Sequence, residues 1–124
     1  MTTALTPEQL ATYSRTMRRR AAEGVERRER RRKAAWALAQ EAAGLLRDRY
    51  GATTVIAFGS LAEGTHFSER SDIDLAAAGL RLGDHYAALG RLLTLSPDFQ
   101  FDLVDLDTCA AELRAAILAR GASL

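Results

Sequence analysis

The chain is short of sulfur, of large side chains and of long apolar runs, and each shortage removes a class of protein. Cys109 is the only cysteine among 124 residues. It cannot form an internal disulfide, and no cysteine cluster with metal-ligand spacing exists. The most apolar stretch, Ala34 to Leu46, is interrupted by Gln40 and Glu41, so no membrane span is expected. The N-terminus carries Thr, Pro and Glu where a secretory signal would need a cationic and then an apolar segment. A soluble protein of the reducing cytoplasm is the expectation. Hydrophobic residues make up 48% of the chain, an ordinary share, but alanine supplies much of it, which predicts a compact and partly helical core. The length suits one domain with one core, and neither repeats nor a low-complexity linker divide it.

Charge is present in quantity but unevenly spread. The net charge is +1, yet residues 15–33 hold nine Arg and one Lys against three Glu, a local +7 that leaves −6 for the rest. A basic arm on an acidic body points to an anionic partner, either nucleic acid or an acidic protein face, with a solvated helix as the plainer explanation.

Residues 7–50 read as helix. Thr6-Pro7-Glu8-Gln9 combines an N-cap, a proline in the first turn and a glutamine placed to complete a capping box. Leu10, Tyr13 and Met17 recur at helical spacing, and Gly24 is a candidate bend. Between Arg18 and Lys33 only Ala21, Ala22 and Val25 are apolar, so this stretch is expected to be exposed or to project. Trp36, Ala39, Ala43, Leu46 and Tyr50 form one stripe for packing against a sheet, and Gly51 ends the helix. Residues 53–58 then read as a strand, 71–77 as a second, 84–94 as a helix with Tyr86, Leu89, Leu92 and Leu93 as its apolar face, and 101–106 as a third strand. Ser96-Pro97-Asp98 is a turn, and a last helix spans 109–120. This order implies an α/β (α+β) fold, a small mixed sheet with helices over one face behind a long N-terminal helical arm. The expected division is an arm at 1–51 and a core at 52–124 within one structural domain.

The chemistry concentrates where Gly59-Ser60 follows the first strand and Asp72-Ile73-Asp74 opens the second. Alternation along a strand puts Asp72 and Asp74 on one face with adjacent carboxylates. Two such charges repel unless a cation lies between them, and Mg²⁺ favours this oxygen-only arrangement together with substrate phosphates. A third carboxylate would complete a two-metal site. Asp102, Asp105 and Asp107 are the candidates, and alternation alone leaves the choice open. Gly59 lets the backbone approach a phosphate without interference from a Cβ. Ser60-Leu61-Ala62-Glu63 has the S-x-x-E form of a capping box, so Ser60 either caps a short helix, cradles an anion at its N-terminus, or does both. His66 and His85 read as a loop residue and a helix-start residue, Cys109 as a small half-buried side chain, and Tyr13 and Trp36 as packing.

Gly59-Ser60-Leu61-Ala62-Glu63-Gly64, Ser71-Asp72-Ile73-Asp74-Leu75 and Phe101-Asp102-Leu103-Val104-Asp105-Leu106 together resemble the minimal nucleotidyltransferases of the DNA polymerase β-like superfamily, over roughly Val55 to Leu118. The resemblance implies that Asp72 and Asp74 bind metal and that Gly59 and Ser60 contact the triphosphate. It favours Asp102 as the third catalytic carboxylate. It implies two Mg²⁺ ions, ATP as substrate and in-line attack at the α-phosphate. Family members often carry arginine at the positions of Leu61 and Glu63, and this chain does not. With so few residues left to hold a small acceptor, the chain resembles antitoxins paired with a HEPN-family ribonuclease toxin. That implies transfer of AMP to a tyrosine of the toxin. Two other readings stand beside it: a module that neutralises its partner by binding and occlusion, and a transferase acting on RNA or a small molecule. Nucleic acid is the less favoured partner, no membrane is involved, and a homo-oligomer is left open.

Overall fold

The computed structural model describes residues 4–64 and 66–124. The first three residues of the expected arm, and one residue of the loop between Gly64 and His66, lie outside that description.

The helix α1 runs unbroken from Pro7 to Tyr50, straight through the candidate bend at Gly24. Its start is secured as the sequence suggests: Gln9 N donates to Thr6 Oγ1 and Thr6 N donates to Gln9 Oε1, which satisfies two otherwise unpaired backbone groups. It stops at Gly51, whose φ of 77° lies in the left-handed region that glycine enters without steric cost. At 1.5 Å per residue this helix is about 66 Å long, longer than the rest of the fold requires. Ala35, Ala39, Ala42, Ala43 and Leu46 are fully buried; among the described residues before Ala35 the only buried position is Gly24.

After α1 come β1 (Thr54–Phe58), α2 (Gly59–Glu63), β2 (Ile73–Ala78), α3 (His85–Leu92), β3 (Phe101–Asp105), α4 (Ala111–Arg120) and a two-residue β4 (Ala122–Ser123). The strands form one mixed sheet in the order β3-β2-β1-β4. Strands β1 and β2 are antiparallel, β1 and β4 antiparallel, and β2 and β3 parallel. Alternation divides the sheet cleanly. Val55, Ala57, Ile73, Leu75, Ala77, Phe101 and Leu103 face the alanine stripe of α1 and the inner side of α3. Ile56, Ala76 and Leu106 face the other way, where Ile117 of α4 covers them. Helices α1 and α3 therefore share one face, and α4 closes part of the second.

Three local expectations change. Tyr86 does not belong to the buried side of α3 and is 82% exposed, and Leu93 lies beyond the helix and is exposed. Leu92 is buried and Leu89 partly buried against the core as expected, and Ala88 joins them, so the face turned to the sheet is rotated away from Tyr86 and Leu93. Strand β4 was not anticipated, since two residues are too few to show a period. The expected last helix begins at Ala111, leaving Cys109 half-buried in the turn before it.

Candidate active site

The parallel pairing of β2 with β3 decides which aspartates meet. Asp74 lies directly opposite Asp102 on one side and Phe58 on the other. Asp105 pairs with Ala77, three residues further along, and faces away. Both remaining candidates are occupied with backbone groups: Asp105 Oδ1 accepts from Asp107 N at 2.9 Å and Asp107 Oδ2 accepts from Gly79 N at 2.8 Å. Side-chain alternation could not choose among these three residues, because the choice depends on a register between strands distant in sequence.

Asp72 sits differently from the sequence expectation. It is exposed and lies one residue before β2, which begins at Ile73. The strand is anchored there by Ile73 N donating to Gln100 O at 2.9 Å, with Ile73 buried beneath. Asp72 thus occupies the lead-in and not the pleated strand. Its charge still reaches Asp74. The Asp74 carboxyl is raised from 3.8 to about 6, first by burial, then by the charge of Asp102, then by that of Asp72. Three carboxylates in mutual repulsion, offering oxygen donors alone, suit a hard divalent cation. Among the described residues, no three acidic, histidine or cysteine side chains converge on one point as they stand. Asp72 and Asp102 are both exposed, while Asp74 between them is half-buried.

Gly59 comes up closely against this cluster. Its φ is 68°, and a Cβ built there would run into the Asp74 carboxylate. Only glycine lets the chain turn from β1 into α2 over that side chain. The helix begins two residues earlier than the S-x-x-E pattern suggests. Phe58 is the N-cap, extended and without a side-chain bond, so Ser60 stands inside the first turn and is not a cap. Its carbonyl accepts from Gly64 N at 2.9 Å, and among the described residues its hydroxyl has no partner. A helix of five residues has little macrodipole, so anion binding here would rest on individual N–H and O–H groups. Leu61 is fully buried and Glu63 is exposed, so α2 itself presents no cation.

Sequence reasoning missed how α1 grips the segment between α2 and β2. Arg31 Nε donates to Ser68 O and Nη2 to Asp98 O, both at 3.2 Å, while the guanidinium lies 4.1 Å from the centre of the Phe99 ring. Arg32 Nη2 donates to Leu61 O at 3.3 Å and packs against Gly64, with its Nε buried and unpaired. Arg27 approaches Glu69 at 3.6 Å. Nothing in the local pattern separates these arginines from their neighbours except the heptad-like offset that places Arg32 four residues before Trp36. His85 starts α3 as expected, and in addition Nε2 donates to Leu103 O at 2.6 Å, which fixes the tautomer and ties α3 to β3. His66 is exposed in its loop. A broad concavity is lined from Leu5 to Arg20; it follows one side of a single helix and encloses nothing.

A family model described as Polymerase beta, Nucleotidyltransferase matches residues 40–124. Among solved structures, a chain of a toxin–antitoxin crystal structure with AMP-PNP is 27% identical, with a TM-score of 0.59 over 68% of this chain and 70% of that one. A structure assigned as a minimal nucleotidyltransferase is 30% identical, with a TM-score of 0.50 over 80% of this chain and 94% of that one. A chain of the complex between tri-AMPylated Shewanella oneidensis HEPN toxin and MNT antitoxin is 24% identical, with a TM-score of 0.55 over 72% and 70%, a likeness of fold. No match is found among curated proteins.

Proposed function

The chain belongs to the Polymerase beta nucleotidyltransferase family, and from that premise we propose that it is a Mg²⁺-dependent adenylyltransferase and the antitoxin of a HEPN-type ribonuclease toxin. The observation that carries the proposal is the register pair Asp74–Asp102 with Gly59 turned tightly over it. In this reading Asp72, Asp74 and Asp102 hold the metal, and Gly59 and Ser60 meet the nucleotide's phosphates through backbone N–H and the Ser60 hydroxyl. Bound Mg²⁺ would supply charge neutralisation of the triphosphate and polarisation at the α-phosphorus. Asp74 stands at the centre of the donors, held by strand pairing on both sides, so it supplies the rigid ligand while Asp72 and Asp102 adapt. With its pKa raised to about 6, the Asp74 carboxyl is largely ionised at neutral pH and ready for a cation, while protons compete for it in mild acid. ATP as the nucleotide, and a toxin as the acceptor, draw support from the 27% identical chain crystallised as a toxin–antitoxin with AMP-PNP. The lack of a cation on α2, together with the acidic Glu63, favours a second reading in which the chain silences its partner by occlusion alone.

Incubating the chain with Mg²⁺, ATP and a HEPN-type toxin, followed by intact mass spectrometry, separates the two. Adenylylation should add one or more AMP masses to the toxin, and Asp72→Asn/Asp74→Asn should reduce the rate by on the order of a hundredfold or more. An unmodified toxin that is nevertheless inhibited by wild-type and variant alike would leave occlusion as the function.

A further inference from the structure

Resting on the nucleotide reading above, we propose that Arg120, on α4, holds the outer phosphates of the nucleotide and supplies the positive charge that α2 lacks. A small cleft of about 150 Å³ opens between the Gly59 turn and α4, lined by Phe58, Gly59, Glu63, Ile117 and Arg120 among others. It lies on the Asp74 side of the sheet, since Phe58 pairs with Asp74 and packs with the Ile117 cluster. This volume admits a phosphate group and not a nucleoside, which needs several times more.

The position of Arg120 is fixed by its neighbours. Gly121 follows it and leaves no room for a Cβ against the Ala57 and Ile117 carbonyls and the Ile56 side chain. Ala122 then pairs with Ala57, two residues before Gly59. The end of α4 is thereby pinned to the end of β1, and the Arg120 stem starts beside the turn. Among the described residues Arg120 forms no ion pair and no side-chain hydrogen bond, although Glu63 lines the same cleft. Arg32 is held by Leu61 O, and Arg70 lines a separate cleft with Arg28, Ser68 and Glu69. Three carboxylates and a triphosphate exceed the charge of two divalent ions, so a guanidinium at the phosphate end has a clear electrostatic purpose. Its planar fork suits two phosphate oxygens at once. Glu63 opposes it from the other wall.

The two residues therefore predict shifts of opposite sign. Calorimetric titration of the full chain with Mg²⁺ and AMP-PNP should show Arg120→Met weakening affinity about tenfold or more, Arg120→Lys retaining most of it, and Glu63→Gln tightening it severalfold. AMP lacks the outer phosphates, so its affinity should be the same in wild type and Arg120→Met. Circular dichroism melting should match wild type for all three variants, because both side chains are exposed. Unchanged AMP-PNP affinity in Arg120→Met, or an equal loss for AMP and AMP-PNP, overturns the proposal. Wild-type protein that binds no AMP-PNP overturns the nucleotide reading and this proposal with it.

Discussion

The two ends of α1 obey different physics within one unbroken helix. From Ala35 onward an alanine and leucine stripe is fully buried against the sheet, and the helix is held by tertiary packing. From Pro7 to Glu26 the same helix exposes its apolar residues, with Leu10 at 49%, Tyr13 at 60%, Met17 at 44% and Val25 at 58%. There it depends on its capping box, on intrinsic propensity and on exposed pairs such as Arg19–Glu23 and Arg30–Glu26 at 3.9 Å, which contribute little each. The crossover falls at Arg27 to Arg32, where arginines of α1 clasp Glu69, Ser68, Asp98 and Leu61. The family match begins at residue 40, inside the packed half, and leaves the exposed half outside. A continuous helix is thus no guide to a continuous source of stability.

Truncation tests that contrast most directly. Leu46→Ala should cost about 3 kcal/mol in chemical denaturation, from lost burial and the cavity left behind. Met17→Ala should cost less than about 0.5 kcal/mol. Equal losses at the two positions would mean that the arm is packed in solution after all.

A smaller effect comes from the acidic end of the sheet. Because the Asp74 carboxyl is raised to about 6, the native chain holds this proton more tightly than the unfolded chain does. Stability is therefore greatest below 3.8, declines as pH rises through about 6, and levels off above it. Asp74→Asn should remove the decline and raise stability near pH 8 by about 1 kcal/mol, a figure reduced for the solvent that reaches this half-exposed group. Thermal melts of metal-free protein between pH 4 and 8 would reveal it. Adding Mg²⁺ to the wild type should stabilise more at pH 8 than at pH 5, since protons compete for the same oxygens. A pH-independent gap between wild type and Asp74→Asn would remove burial and repulsion as its cause.

A further effect, confined to local opening, is expected within the arm. Gly24→Ala should improve helix propensity by up to about 1 kcal/mol, since the new methyl group meets only the flexible ends of Arg27 and Arg28. Hydrogen exchange at residues 12–28 should slow by about fivefold at most, with the melting of the packed half unchanged.

Much of the architecture could be read from local pattern. The capping box at Thr6, the glycine stop at Gly51, the alanine stripe and the three longer strands are all short-range features, visible within a few turns or a few residues. Ser60 and Tyr86 escaped that logic. A capping motif competes with the backbone geometry that Gly59 imposes, and an apolar residue at helical spacing is not buried unless something lies over it. The two-residue β4 and the arginine clasp had no local pattern to betray them.

For the candidate site the division is sharper still. The sequence by itself determined that a glycine turn and an Asp-x-Asp pair follow one another on adjacent elements, because both spacings lie within about a dozen residues. Only the tertiary structure decided that Asp102 and not Asp105 stands beside Asp74, and that Arg120 reaches the Gly59 cleft. Both depend on strand register and helix docking, which bring together groups from distant parts of the chain, and no periodicity along a single segment encodes such a meeting.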